Sequence, residues 1–168
     1  EHLYANVDEP IEKTILDLMA SRGLTLSAAE SCTGGLLMEM FTALPGSSAV
    51  FTGGIVCYSN AMKEKLLNVP HDLLEGENAP GAVSSETAKV LAEQVRLTVG
   101  TDIGLSITGV AGPAHSERKP VGLVYVAIAR EGADTAVFEL NLKGNREIIR
   151  LRAVKSLLYQ LWRVLQGR

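Results

Sequence analysis

The segment AESCTGGL at residues 29–36 constrains the fold of this chain more than any other. Alternating apolar residues (Leu24, Leu26 and Ala28) precede it, and apolar residues at helical spacing follow from Leu36. This pattern predicts a strand, a tight glycine turn and the start of a helix. Such a junction presents unpaired backbone N–H groups at the positive end of a helix, which suits an anion or an oxyanion. An α/β fold places a nucleophile at this kind of junction.

The composition favours one globular domain. We expect the 168 residues to form a single domain over residues 1–168, with a tail at 1–9. Sixteen basic and nineteen acidic residues give a net charge of -3 without a basic block, so we expect no nucleic-acid partner. No apolar run is long enough for a membrane span, and the N-terminus is too polar for a signal peptide. With only two cysteines, the chain is expected to be cytoplasmic.

Helices and strands alternate early in the chain, and a hairpin comes late. Helical spacing and capping residues predict helices over 10–22, over 33–44, from 60, from 84 or 85, and from 144 to about 165. Strands are predicted over 24–31, 50–58 and 102–108, with a hairpin over 121–129 and 135–142. The strand at 50–58 is expected to be buried on both faces. These elements predict an α/β three-layer sandwich on a mostly parallel mixed sheet.

Three predicted strand ends carry residues suited to chemistry. The first strand ends at Ser31, the second at Tyr58 with Lys63 in the next helix, and the third at Thr108 and Gly109. In an open α/β sheet, ligands bind beyond the carboxyl ends of the strands. We therefore expect these residues to meet at one edge of the sheet.

A serine nucleophile needs a base, and Lys63 is the best candidate. The histidines (His2, His71 and His115) lie in a tail or in polar loops, which disfavours a Ser–His–Asp triad. Lys63 can act if burial and the helix N-terminus lower the pKa of its amine, and Tyr58 would relay or position the proton. Spacing alone explains these residues about as well without catalysis. Lys63 would then be a solvated helix lysine, Tyr58 a packed strand-end ring and Ser31 a helix N-cap.

Ser48 and Cys32 are alternative nucleophiles. An extended strand puts Ser48 roughly 30 Å from Tyr58, at about 3.3 Å per residue. Ser48 would reach the site only if the strand bends at its glycines or if a neighbouring subunit supplies the residue. Cys32 has no evident histidine partner.

Two turns and one arginine are candidates for binding an anion. Thr33, Gly34 and Gly35 offer backbone amides at a helix start, and the turn at 109–113 offers a second set. Arg146, at the start of the last helix, has a guanidinium suited to a phosphate. Lys119 is a further candidate for a phosphate contact. Metal ligands do not cluster in the sequence, so no metal is expected.

Six short motifs in a fixed order resemble a known family. They are residues 29–35, 45–48, 58–60 with Lys63, 81–84, 108–113 and 119–122. Together they resemble the C-terminal domain of the CinA family, which also occurs as a stand-alone nicotinamide-nucleotide amidohydrolase. The resemblance runs from about residue 11 to residue 164.

The resemblance implies hydrolysis of the carboxamide of nicotinamide mononucleotide, giving nicotinate mononucleotide and ammonia in pyridine-nucleotide salvage. It implies a serine with lysine and tyrosine partners and no metal or other cofactor. These roles would fall on Ser31 or Ser48, with Lys63 and Tyr58, and the predicted geometry favours Ser31. Contacts to the nucleotide are expected from the following residues: Cys32, Thr33, Gly34, Gly35, Thr108, Gly109 and Arg146.

Two departures from the family pattern leave alternatives open. Residues 114–118, AHSER, replace a longer glycine-rich loop, and residues 77–80 look like a small insertion. The first departure favours a non-catalytic paralogue that binds a nucleotide or a partner protein. A second alternative is an assembly domain, and we expect a homo-oligomer. The apolar side of the last helix would suit an interface or the core: Leu157, Leu158, Leu161, Trp162 and Leu165.

Overall fold

A five-stranded mixed sheet forms the centre of the protein in the computed structural model, which describes residues 9–116 and 119–167. Residues 1–8 of the predicted tail lie outside this part. The strands are β1 (Leu26–Glu30), β2 (Phe51–Val56), β3 (Ile103–Gly109), β4 (Leu123–Arg130) and β5 (Ala136–Asn141). Their order is β2-β1-β3-β4-β5. The first three run parallel, and β4 is antiparallel to both of its neighbours, as the predicted hairpin requires.

Helices cover both faces of the sheet. They are α1 (Ile11–Ser21), α2 (Leu36–Thr42), α3 (Asn60–Leu67), α4 (His71–Leu74), α5 (Ser85–Val99) and α6 (Arg146–Leu165). On one face α1, α2 and α6 contact one another, and on the other α5 packs on the sheet with α3 and α4 beside it. Successive residues of β1 alternate between the two cores, with Ala28 in one and Ala29 in the other. The three-layer α/β prediction is confirmed.

Polar side chains set the starts of three helices. Ser59 accepts a hydrogen bond from the N–H of Met62 and caps α3, a role that the sequence assigned to Asn60. Ser84 caps α5 and Asn145 caps α6 in the same way. The start of α3 matters for the site, because it fixes the first helical turn that carries Lys63.

The burial of β2 and the start of α2 differ from the sequence predictions. β2 lies at the edge of the sheet and Val56 is 42% exposed, so the expected burial on both faces is wrong. At the end of β2, Ile55 is partly buried whereas Val56 is exposed, so only one face of the strand is covered. The helix expected from residue 33 begins at Leu36, because Gly34 and Gly35 adopt φ values of 58° and 101° and form a turn.

The apolar side of α6 belongs to the core. Its four leucines at positions 157, 158, 161 and 165 are buried with residues of α1 and of the sheet, and Trp162 is partly buried against them. This face is therefore not free to form the interface considered from the sequence. None of the helices in the described ranges combines the length and the apolar character that crossing a bilayer requires.

Candidate active site

The carboxyl ends of the three parallel strands meet at a cavity of about 240 Å³. Ser31 follows β1, Tyr58 follows β2, and Thr108 and Gly109 end β3, as the sequence predicted. α3 contributes Lys63 and α6 contributes Arg146. Chain segments that are distant in sequence thus converge at one edge of the sheet.

Ser31 and Lys63 form a hydrogen-bonded pair in the wall of this cavity. Lys63 Nζ donates to Ser31 Oγ at 3.1 Å and to the carbonyl oxygen of Cys57 at 2.9 Å. Lys63 is 1% exposed and Ser31 is 8% exposed. A lysine is rarely buried to this extent unless its amine has partners, because burying a polar group without hydrogen bonds is costly. The pair has the geometry of a nucleophile and its base.

Arg146 connects two sides of the cavity mouth. Its Nη2 donates to the hydroxyl of Tyr58 at 3.0 Å, and its Nη1 donates to the carbonyl oxygen of Gly112 at 2.8 Å. Tyr58 is 60% exposed, so its ring forms part of the rim. The Tyr58 hydroxyl therefore bonds to the Arg146 guanidinium, whereas the sequence predicts that Tyr58 relays or positions the proton of the serine–lysine pair.

The start of α2 is occupied by a carboxylate of the protein itself. Glu30 is fully buried, and its carboxylate accepts hydrogen bonds from the amides of Gly35, Leu37 and Met38 at distances from 2.8 to 3.2 Å. An anion at this position satisfies the unpaired N–H groups of the helix and complements its dipole. Glu30 therefore occupies the Gly35 amide, which the sequence prediction offered to a substrate anion.

Thr33, Gly34 and Gly35 do not line the cavity. Thr33 is fully buried and its hydroxyl has no hydrogen-bond partner among the described residues. Of this turn, only Ser31 and Cys32 reach the cavity. The structure therefore does not bring the three predicted binding residues together with the others.

Thr108 and Gly109 form the cavity wall at the end of β3. The Thr108 hydroxyl donates to the carbonyl oxygen of Ala82 at 2.6 Å, so it links β3 to the segment before α5. A Cβ atom at Gly109 would lie 2.6 Å from a methyl carbon of Val124 and 2.9 Å from the carbonyl oxygen of Leu123. A glycine is needed here because β4 approaches so closely.

Cys32 lines the cavity as a protonated thiol. Burial raises the pKa of this thiol to about 12, against the opposing effects of its own backbone N–H and of the Arg146 and Arg150 guanidiniums. The thiolate is the nucleophilic form of cysteine. Cys32 is therefore unsuited to be the nucleophile at neutral pH.

Ser48 lies away from the cavity. It is exposed in a short 3₁₀ turn (Ser47–Ala49) that precedes β2, whereas the cavity lies beyond the opposite end of that strand. β2 pairs with β1 from Phe51 to Val56 and does not fold back toward the site. The structure thus brings Ser31, and not Ser48, to Lys63.

The remaining predicted polar residues have structural partners or lie at the surface. The Lys119 ammonium donates to the carbonyl oxygens of Pro80 and Val83, which ties the segment before β4 to the segment before α5. His71 is exposed and pairs with Glu64, and His115 is exposed in a loop. In the described ranges, no group of three or more His, Cys, Asp or Glu residues is placed to hold a metal ion. Glu117 and Arg118 of the altered loop lie outside those ranges.

The chain resembles bacterial proteins named competence-damage inducible protein. It is 49% identical to one from Geobacillus kaustophilus over 154 residues, which cover 92% of this chain and 36% of that protein. It is also 49% identical to one from Caldanaerobacter subterraneus over 169 residues, which cover all of this chain and 40% of that protein. The chain therefore spans well under half of the length of these relatives.

Solved structures with the same fold match along almost their whole length. A competence damage-inducible protein A from Klebsiella pneumoniae has a TM-score of 0.88 at 28% identity, covering 93% of this chain and 95% of that one. CihA from Agrobacterium tumefaciens has a TM-score of 0.83 at 32% identity, covering 96% and 99%. Residues 8–165 match the family described as the CinA C-terminal domain. With this match over nearly all of its residues, the chain belongs to the CinA family and represents its C-terminal domain.

Proposed function

We propose that this domain is a serine amidohydrolase that cleaves the carboxamide of nicotinamide mononucleotide into nicotinate mononucleotide and ammonia. The observation that carries the proposal is the 3.1 Å hydrogen bond from the buried Lys63 Nζ to Ser31 Oγ at the edge of the cavity. The choice of substrate rests on the resemblance of the motifs to those of the stand-alone amidohydrolases.

Ser31 and Lys63 have complementary roles in the first half of the reaction. Ser31 Oγ attacks the carboxamide carbon, and its proton passes to the neutral amine of Lys63. The oxyanion that forms is held by the backbone N–H of Cys32, the residue after the nucleophile. The C–N bond then breaks, Lys63 returns the proton to the leaving nitrogen, and ammonia departs. An acyl ester on Ser31 remains.

Water completes the reaction in the second half. Lys63 accepts a proton from a water molecule as that water attacks the ester carbon. The C–O bond to Ser31 breaks, the serine recovers its proton, and nicotinate mononucleotide leaves. Both halves need an uncharged Lys63, and burial favours this form of a lysine.

Arg146 is the proposed ligand of the nucleotide phosphate. It lies at the cavity mouth, and its contacts with Gly112 and Tyr58 use two donors of a guanidinium that has five. The remaining donors are available to a phosphate in the charge-assisted geometry that arginine favours. In this arrangement Tyr58 orients the guanidinium through its hydroxyl.

Ammonia release from nicotinamide mononucleotide tests this proposal. Ser31→Ala and Lys63→Met are expected to lower kcat by at least about 10³-fold, as the loss of a nucleophile or its base does in other serine hydrolases. Lys65→Met is the control for Lys63→Met, because Lys65 is exposed on the same helix. Normal turnover by Ser31→Ala, or loss of turnover only in Ser48→Ala, would contradict the assignment of Ser31.

A non-catalytic nucleotide-binding protein is the second candidate function. The feature that favours it is the altered loop, because Ala114 and Ser116 line the cavity where the resembling sequences carry glycines. Isothermal titration of the wild-type chain with nicotinamide mononucleotide separates the two functions. Tight binding without ammonia release supports this alternative and rejects the amidohydrolase.

A further inference from the structure

Two peptide groups connect Arg150 to the amide that follows Ser31. Arg150 Nη2, from α6, donates to the carbonyl oxygen of Thr33 at 2.6 Å. The same peptide group carries the N–H of Gly34, which donates to the carbonyl oxygen of Ser31 at 3.1 Å. The peptide group of Ser31 in turn carries the N–H of Cys32. Since peptide groups are planar, fixing each carbonyl also fixes the direction of the N–H in the same group.

The last N–H of this series has no acceptor on another residue within the described part of the chain. The amides of Cys32 and Thr33 donate to no carbonyl or side chain of another residue there, whereas the neighbouring amides of Ser31 and Gly34 are both bonded. Cys32 lines the cavity beside Ser31. A fixed N–H that bonds to no other residue, beside a nucleophile, is the arrangement that stabilises an oxyanion. The positive charge of Arg150 also polarises the series, which strengthens its terminal donor.

We propose that Arg150 is a positioning residue that acts through the Thr33 and Ser31 peptide groups to orient the Cys32 N–H toward the oxyanion. This inference rests on the proposed function of the site. Arg150 does not line the cavity, so it does not touch the substrate. Gly34 permits the series, because the turn needs a positive φ of 58° at this position.

Arg150 and Arg146 lie on the same face of α6 but contact different parts of the site. They are four residues apart on α6 and therefore point the same way. Arg146 reaches the cavity mouth, whereas Arg150 reaches the turn behind the nucleophile. Loss of a substrate ligand raises KM, but loss of a group that acts on the transition state lowers kcat. The two arginines are thus expected to affect different kinetic constants.

The experiment compares Arg150→Met, Arg146→Met and Arg152→Met in the 168-residue chain. Arg152 is exposed on the same helix and is the control, with both constants unchanged. Arg150→Met is expected to lower kcat by about 10- to 100-fold with KM within about twofold, since small misplacements of catalytic groups cost up to about that much. Arg146→Met is expected to raise KM. Arg150→Lys, which keeps a charged donor, is expected to recover part of kcat.

Labelling of Ser31 by a fluorophosphonate probe gives a second measurement that does not depend on the natural substrate. Its rate is expected to fall in Arg150→Met, to recover in part in Arg150→Lys, and to stay unchanged in Arg152→Met. Circular dichroism and thermal unfolding identify any variant that has lost its fold. If Arg150→Met is unfolded, the kcat and labelling rate of Arg150→Lys relative to wild type decide whether Arg150 has the positioning role.

The two readouts separate the proposal from the function on which it rests. If the wild-type chain releases no ammonia but is labelled at Ser31, the proposed function fails and the labelling rates decide the role of Arg150. Unchanged kcat and labelling in Arg150→Met, or an effect on KM alone, would overturn the positioning role. A wild-type chain that is neither active nor labelled at Ser31 overturns both proposals.

Discussion

The buried polar side chains around the nucleophile differ in whether they have hydrogen-bond partners. Lys63 and Glu30 are almost completely buried, and each has several hydrogen bonds that offset the loss of water. The Thr33 hydroxyl is fully buried without a partner in the described residues, which is a net cost to the folded state. A buried polar side chain in this region therefore favours the folded state only where it has hydrogen-bond partners.

Thr33→Val is expected to stabilise the protein by about 1 kcal/mol. Valine has nearly the shape of threonine, and it removes a buried hydroxyl that makes no hydrogen bond. The control is Thr87→Val, because Thr87 is equally buried but its hydroxyl donates to the carbonyl oxygen of Gly81 at 2.8 Å. That control is expected to lose stability. Urea unfolding of both variants measures the difference, and a destabilised Thr33→Val would show that its hydroxyl has a partner.

At the scale of helices and strands, periodicity and turn residues predicted the elements well. The meeting of Ser31, Lys63 and Thr108 followed from one rule, because the carboxyl ends of parallel strands share an edge. The exposure of β2 was not predictable from its own residues, since its place at the sheet edge depends on which strands pair.

The roles of Glu30 and Arg150 were not predicted from the sequence, because both depend on the tertiary structure. Glu30 looked like an ordinary strand-end residue, and its role is defined only once the glycine turn sets the start of α2. Arg150 lies 117 residues from its partner Thr33, so no local pattern connects them. A charged residue at the end of a fully buried strand is the only signal that could have pointed to Glu30. Long-range contacts of this kind come from the topology.

The starts of β1 and β3 are joined by a contact that depends on pH. Asp102 accepts hydrogen bonds from the backbone N–H and the hydroxyl of Thr25, both at 2.7 Å. The backbone N–H of Thr25, and then its hydroxyl, hold the pKa of the Asp102 carboxyl below its ordinary value. The unfolded chain therefore binds a proton at a higher pH than the folded chain. The stabilisation is present above a pH of about 4 and is lost as the pH falls through the folded pKa.

Asp102→Asn tests this contact. The variant is expected to be less stable than wild type at pH 7, and the difference is expected to shrink as the pH falls below about 4, where the wild-type carboxyl takes up its proton. Urea unfolding at several pH values measures it. Asp134→Asn, at the exposed tip of the hairpin, serves as the control. A difference between Asp102→Asn and wild type that does not change with pH would mean that the charge of Asp102 is not involved.

In the whole molecule, α6 connects the core to the site. Its first turn carries Arg146 to the cavity mouth, its second carries Arg150 to the turn behind Ser31, and its remaining length packs against α1 and the sheet. Lys155, further along, forms an ion pair with Glu12 of α1 at 2.9 Å. The position of both arginines therefore depends on how well the apolar side of α6 is packed. A homo-oligomer remains our proposal, and it must use a surface other than this side.

Leu157→Ala distinguishes a core role of α6 from an interface role. Leu157 is fully buried within one chain, so truncation is expected to cost about 2–5 kcal/mol of unfolding free energy, independently of protein concentration. Leu151→Ala is the control on the same helix, because Leu151 is 44% exposed and its truncation is expected to cost less than about 1 kcal/mol. Urea unfolding at two protein concentrations, with sedimentation velocity, measures both quantities. If Leu157→Ala changed the association state and left the unfolding of the single chain unchanged, this side of α6 would be an interface, and the packing that positions Arg146 and Arg150 would have to come from a second subunit.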